Sequence, residues 1–122
     1  MFKKIKRIHR NIKSKQIVDR IKWLEGALVD QGRDYYPFGL DDYCGHNPDL
    51  IKKELIRLRD CRKAKIEELK RYDYRLYKKL YPNEAQREKE LNQIIEESYN
   101  NAVKALKVFE KYAVKWSEES KR

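Results

Sequence analysis

Cysteine, glycine and proline are scarce in this chain: among 122 residues there are two, four and three of them. Two cysteines, Cys44 and Cys61, are too few for a disulfide framework, so reduced thiols and a cytosolic compartment are the expectation. No apolar run approaches the roughly 20 residues that cross a bilayer, and no apolar stretch of the signal-peptide kind follows the basic start. What the chain has in quantity is charge. Charged residues make up 41% and hydrophobic residues 40%, which is too apolar for a disordered tail and too charged for a compact β-sandwich or α/β fold. A single helical domain over residues 1–122, with much exposed surface, is expected.

The charge is unevenly spread. Thirty Lys and Arg stand against twenty Asp and Glu, a net +10. Residues 1–22 carry +8, residues 23–48 carry −4, residues 49–81 carry +6, and residues 82–122 are neutral. The abundance of Lys, Ile, Tyr and Asn is what a low-GC coding sequence produces, which suits a bacterial or phage origin.

Three long helical stretches follow from the apolar spacing. The first runs from about Phe2 to Asp30, with Phe2, Ile5, Ile8 and Ile12 and then Ile17, Ile21, Leu24 and Leu28 at steps of three and four. A step of five between Ile12 and Ile17 leaves two readings open: a continuous bent helix, or a break between Asn11 and Lys15 with Ser14 as N-cap. Residues 31–47 hold three of the four glycines and no period, and read as a loop.

The second stretch begins at Asn47 as N-cap, with Pro48 at the first helical position and Asp49 on the positive end of the dipole. Its seam is Ile51, Leu55, Leu58, Arg62, Ile66, Leu69, Asp73, Leu76 and Leu80, with Cys61 and Tyr72 adjoining the two polar positions. A small rotation would let these fill the seam, and Tyr81-Pro82-Asn83 ends the helix. The third stretch carries the seam Leu91, Ile95, Ser98, Ala102, Ala105, Phe109, Tyr112 and Trp116, widened by Ile94, Tyr99, Val103, Leu106 and Ala113. The expected fold is all-α: a long antiparallel hairpin of residues about 48–81 and 84–118. Its open side is covered by the N-terminal helix, giving a three-helix bundle or coiled-coil-like unit, or by a second copy in a homodimer.

Three features suggest a binding role. The arm of residues 1–15 is basic and amphipathic, with Lys3, Lys6, Arg7, Arg10 and Lys13 opposite Phe2, Ile5, Ile8 and Ile12. Such a helix lies on an anionic membrane, enters a nucleic-acid groove or docks on an acidic protein; alternatively its isoleucines join the bundle. A membrane is disfavoured by an apolar face of one aromatic and three isoleucines, with no lipidation signal. An organelle presequence fits poorly, because the arm has more Lys than Arg and a single Ser. In residues 71–82, Arg71, Arg75, Lys78 and Lys79 alternate with Tyr72, Tyr74, Tyr77 and Tyr81. Cations hold phosphates and aromatic faces stack on bases, so this interleaving suits single-stranded or non-sequence-specific nucleic acid. The competing reading packs the tyrosines on the first helix with their hydroxyls in water. A third patch, Tyr35, Tyr36, Phe38 and Tyr43 with Asp34, Asp41 and Asp42, offers aromatic anchors to a protein partner, or folds back to plug the bundle.

Catalytic and metal chemistry have weak signatures. Cys44-Gly45-His46 lacks the two-to-four-residue ligand spacing of structural zinc sites, and Cys61 near the seam reads as a small hydrophobe. Asp41, Asp42, Cys44 and His46 share the loop, yet no glycine-rich phosphate loop or nucleophile elbow appears. No cofactor and no enzymatic activity are expected. The expected function is a small accessory protein binding nucleic acid or a nucleoprotein through phosphates. A protein-binding adaptor or inhibitor is the alternative, and an oligomeric structural subunit built on the Leu91 to Trp116 seam is the third.

Overall fold

The computed structural model describes residues 2–33 and 47–120. Side chains are described for 5–32, 47–108 and 110–111. The loop residues Asp34, Tyr35, Tyr36, Phe38, Asp41, Asp42, Tyr43, Cys44 and His46, and the side chains of Phe2, Lys3, Phe109, Tyr112, Ala113 and Trp116, lie outside that description.

The fold is an all-α bundle. Helix α1 spans Phe2–Arg33, α2 Pro48–Tyr72, α3 Tyr74–Leu80 and α4 Glu84–Ser120. Helix α1 packs most extensively on α2, and α4 lies against both. The start of α2 follows the expected chemistry: the Asn47 side chain accepts from the backbone N–H groups of Asp49 at 3.0 Å and Leu50 at 3.3 Å. These bonds satisfy two donors that have no partner within the helix.

Helix α1 is unbroken. The step of five that made a break plausible is resolved by Ser14, which is buried and takes the missing seam position. Ser14, Ile17, Ile21, Leu24 and Leu28 then alternate steps of three and four, and all are buried. The helix also outlasts its expected end, running through Gly32 to Arg33. Gly32 lies so close to α4 that a Cβ there would stand 2.6 Å from Ile94 Cγ2. The glycine is thus a close-packing residue of the helix and not the start of the loop.

The expected hairpin is corrected in one respect. The chain reverses at Asp73, not at Tyr81-Pro82-Asn83. In a straight helix Arg62 and Leu80 would stand about 27 Å apart, yet Arg62 bonds Glu84. Arg59 bonds Asn92 at 3.0 Å and Lys52 pairs with Glu96 at 3.0 Å, so the α2–α4 contacts are centred near residues 73–76. Asp73 has an extended φ of −144°. Its backbone N–H bonds Leu69 O at the end of α2, while its carboxylate accepts from Leu76 N to cap α3. Helix α3 and the Tyr81–Asn83 turn belong to the returning limb, and Leu80, expected in the seam, is exposed.

The core forms two clusters. One gathers Leu24, Leu28, Ile51, Leu55, Leu58, Leu91, Ile94, Ile95 and Ala102 from α1, α2 and α4. The other holds Ile17, Val18, Ile21, Ile66 and Leu69, with Tyr72, Leu76, Tyr77 and Tyr81 packed on it. Between them lies Arg62, 1% exposed. No rotation moves Cys61 into its place: Cys61 is exposed, and the seam accommodates the guanidinium itself. Arg62 donates to both oxygens of Glu84, at 2.5 and 3.0 Å, and to Glu25 at 3.2 Å. Glu25 also accepts from Arg87, which reaches Glu90 at 2.8 Å. Burial opposes the charge on Arg62, but the hydrogen bonds and charge of Glu84, then those of Glu25, outweigh it and hold its pKa above the ordinary value.

Two stability outcomes follow. Arg62→Ala leaves two carboxylates without their shared cation and lowers stability by about 3–5 kcal/mol. Ser98 Oγ is buried with no partner among the described residues, so Ser98→Ala removes an unsatisfied hydroxyl and stabilises by about 1 kcal/mol. Urea unfolding at constant m-value measures both; a neutral Arg62→Ala contradicts the first, and a destabilised Ser98→Ala the second.

Candidate nucleic-acid interface

The arm and the tyrosine-rich stretch lie some 60 residues apart in the chain, and the fold brings them to one end. At the junction Ser14 Oγ donates to Asp73 Oδ2 at 3.0 Å, joining α1 to the reversal between α2 and α3. One residue back, the Lys13 ammonium sits 4.6 Å from the centre of the Tyr72 ring. Lys65 hydrogen-bonds Glu68 at 2.9 Å and holds its carboxyl below the ordinary range. Slight burial opposes that shift, while the charges of Lys65, Lys13 and Arg71 reinforce it, so the arm and the reversal meet over Glu68.

Beyond Ser14 the arm leaves the bundle. Residues 5–13 are all exposed, and residues 2–13 extend about 18 Å at 1.5 Å per residue. Helical phase then decides which way each side chain faces, because eighteen residues make about five full turns. Lys6 falls in line with Leu24, and Arg10 with Leu28. The face of α1 that is core within the bundle is therefore basic on the arm. At the corner where the arm meets the reversal, Lys6, Arg7, Arg10 and Lys13 lie along the arm, and Arg71, Arg75, Lys78 and Lys79 lie along the end of α2 and α3. All eight are exposed. Lys3 is on the same helix, its side chain outside the described residues.

The net charge of the molecule is concentrated at this end. Residues 2–16 hold seven basic and no acidic residues, and residues 70–80 hold five basic and one acidic, together +11. The whole chain carries +10, so everything else sums to −1. Among the described residues, the ion pairs engage Lys52, Arg57, Arg59, Arg62, Lys65 and Arg87. None engages the eight corner cations. The +6 of residues 49–81 is accordingly divided: its first half is largely paired within the bundle, and the excess lies past Leu69.

The tyrosines divide as well. Tyr72, Tyr77 and Tyr81 are half-buried against the second core cluster, whereas Tyr74 is 51% exposed. Tyr74, Tyr77 and Tyr81 form a ladder with ring centroids 6.1 and 6.4 Å apart. Lys78 covers Tyr74 at 5.1 Å and Lys70 covers Tyr77 at 5.7 Å. Such contacts help position the ammonium groups, and Tyr74, with one face under Lys78, still has the largest open surface of the four. Burial pushes the Tyr81 hydroxyl pKa up, with Arg62 opposing and Glu25 and Glu84 adding to the shift, which locates Tyr81 beside the buried ion cluster.

His9 and Cys61 are exposed on separate helices, and among the described residues no three His, Cys, Asp or Glu converge as metal ligands. A depression of about 120 Å³ between α2 and α4 is lined by Arg59, Asp60, Lys63, Glu88 and Asn92, well below the volume of an ordinary ligand pocket. Comparison with known proteins gives no match, whether to family models, curated proteins or solved structures.

The junction itself was missed in the sequence. Its signal is the spacing of Ser14 ahead of Ile17 and Ile21, hidden because a serine there serves equally as an N-cap or as a buried seam residue. A double-mutant cycle of Ser14→Ala and Asp73→Ala is expected to give a coupling of about 1–2 kcal/mol in urea unfolding. Strictly additive losses would show that the two side chains do not interact.

Proposed function

We propose that this protein is a non-enzymatic accessory protein that binds nucleic acid, alone or within a nucleoprotein, by seating its phosphate backbone in the corner between the arm and the α2–α3 reversal. The observation that carries this reading is the collection of the whole net positive charge at one end, where the corner cations enter none of the ion pairs among the described residues. Each phosphate neutralised by a lysine or arginine releases a condensed counterion, so affinity is led by charge and falls steeply with salt. Base stacking is secondary, because three of the four tyrosines lean on the core; Tyr74 is the residue for it. Phosphate contacts carry no sequence information, and the expected binding is indifferent to sequence.

Fluorescence anisotropy with labelled single- and double-stranded oligonucleotides tests this. Eight phosphate contacts on a duplex correspond to a slope of about −7 in log affinity against log salt. Changing Arg71, Arg75 and Lys78 together to Ala is expected to weaken all sequences alike and to reduce that slope by about 3. Absence of binding at low ionic strength, or a triple variant with an unchanged slope, refutes the proposal.

A further inference from the structure

The isoleucines of the arm have no part in the corner. Ile5, Ile8 and Ile12 are 54%, 57% and 51% exposed, and the alternative that they join the bundle is not what the fold adopts. Helical phase puts them about 170° from the core face of α1. Five turns beyond Ile5, on the same outer face, stands Trp23, 58% exposed with the Arg20 guanidinium 4.5 Å from its ring. Counted along the arm alone the apolar face is short; the unbroken run of α1 through the bundle adds an indole to it. Exposed Lys13 and Arg20 flank this stripe on one side, and exposed Lys15 and Lys22 on the other. Asp19 is the acidic residue lying within it.

We infer that the outer face of α1 docks on an anionic lipid surface, lying in the headgroup region with Ile5, Ile8, Ile12 and Trp23 turned inward and the flanking cations at the phosphates. Among the described residues no helix is long and apolar enough to cross a membrane, so the contact is interfacial. The flanking charges select against a second copy of the chain. Parallel pairing sets each cation against its equivalent, and the antiparallel register that puts Ile5 on Trp23 sets Lys13 of one copy against Lys15 of the other. A partner helix is also poorly served, because Ile5 to Ile12 spans one heptad before Gln16 and Asp19 interrupt the seam. A helical pair held by such a seam needs about three or four heptads. A lipid surface has no such minimum: apolar side chains and cations contribute to adsorption one at a time.

The test compares the full chain with an Ile5→Ser/Ile8→Ser/Ile12→Ser variant in flotation with phosphatidylcholine vesicles, with and without phosphatidylserine. These side chains lie outside the core, so circular dichroism is expected to be unchanged. In a Trp116→Phe background, Trp23 emission reports insertion. The expected result is binding that requires phosphatidylserine, weakened about tenfold or more in the serine variant, with a blue shift of Trp23. Three results overturn the inference: no association with phosphatidylserine vesicles, equal binding by both proteins, or a concentration-dependent dimer in light scattering that the serine variant abolishes. Binding to free oligonucleotides is measured separately, so failure here is distinguishable from failure of the phosphate corner.

Discussion

The structure depends on one buried cation. Arg62 occupies a position that helical periodicity reserves for a leucine, and it holds α1 through Glu25 and α4 through Glu84. Burying an ion pair contributes little net stability compared with a well-packed apolar residue, because removing both charges from water costs nearly what their attraction returns. Its effect is on register. Sliding either neighbouring helix along α2 by a turn would leave a guanidinium or a carboxylate buried without its partner, at a cost of several kcal/mol, whereas leucine seams tolerate such slips far better.

From that register the rest follows in order. Glu84 must lie beside Arg62, so the chain between them has to double back, and the midpoint of the interval is Asp73. An aspartate serves this position because its carboxylate caps the returning helix and also accepts the Ser14 hydroxyl. The Ser14 contact brings the point where α1 leaves the bundle to the reversal. The cations of residues 2–16 are thereby gathered beside those of residues 70–80. Like charges so collected repel one another and weaken the fold.

Helix α1 presents three different surfaces from one sequence pattern. Within the bundle its inner face is core; past Ser14 the same angular sector becomes basic, while the sector opposite carries the isoleucines and Trp23. One helix therefore presents a basic side and an apolar side pointing in opposite directions.

Much of the secondary structure was legible from local chemistry. The helical class, the Asn47-Pro48-Asp49 start of α2 and the seams of Ile51 to Leu69 and Leu91 to Ala102 are properties of neighbouring residues, set by capping, dipole and periodicity within each helix. The tertiary structure alone decided that Arg62 and not Cys61 is buried, that the chain turns at Asp73, that the arm meets the tyrosine-rich stretch, and that Ile5, Ile8 and Ile12 are left bare. Periodicity gives the angle of a side chain about its own helix axis, but says nothing of what stands at that angle. Whether an apolar face is covered, or a cation paired, depends on where other helices lie along that axis, and contacts between residues distant in the chain determine it.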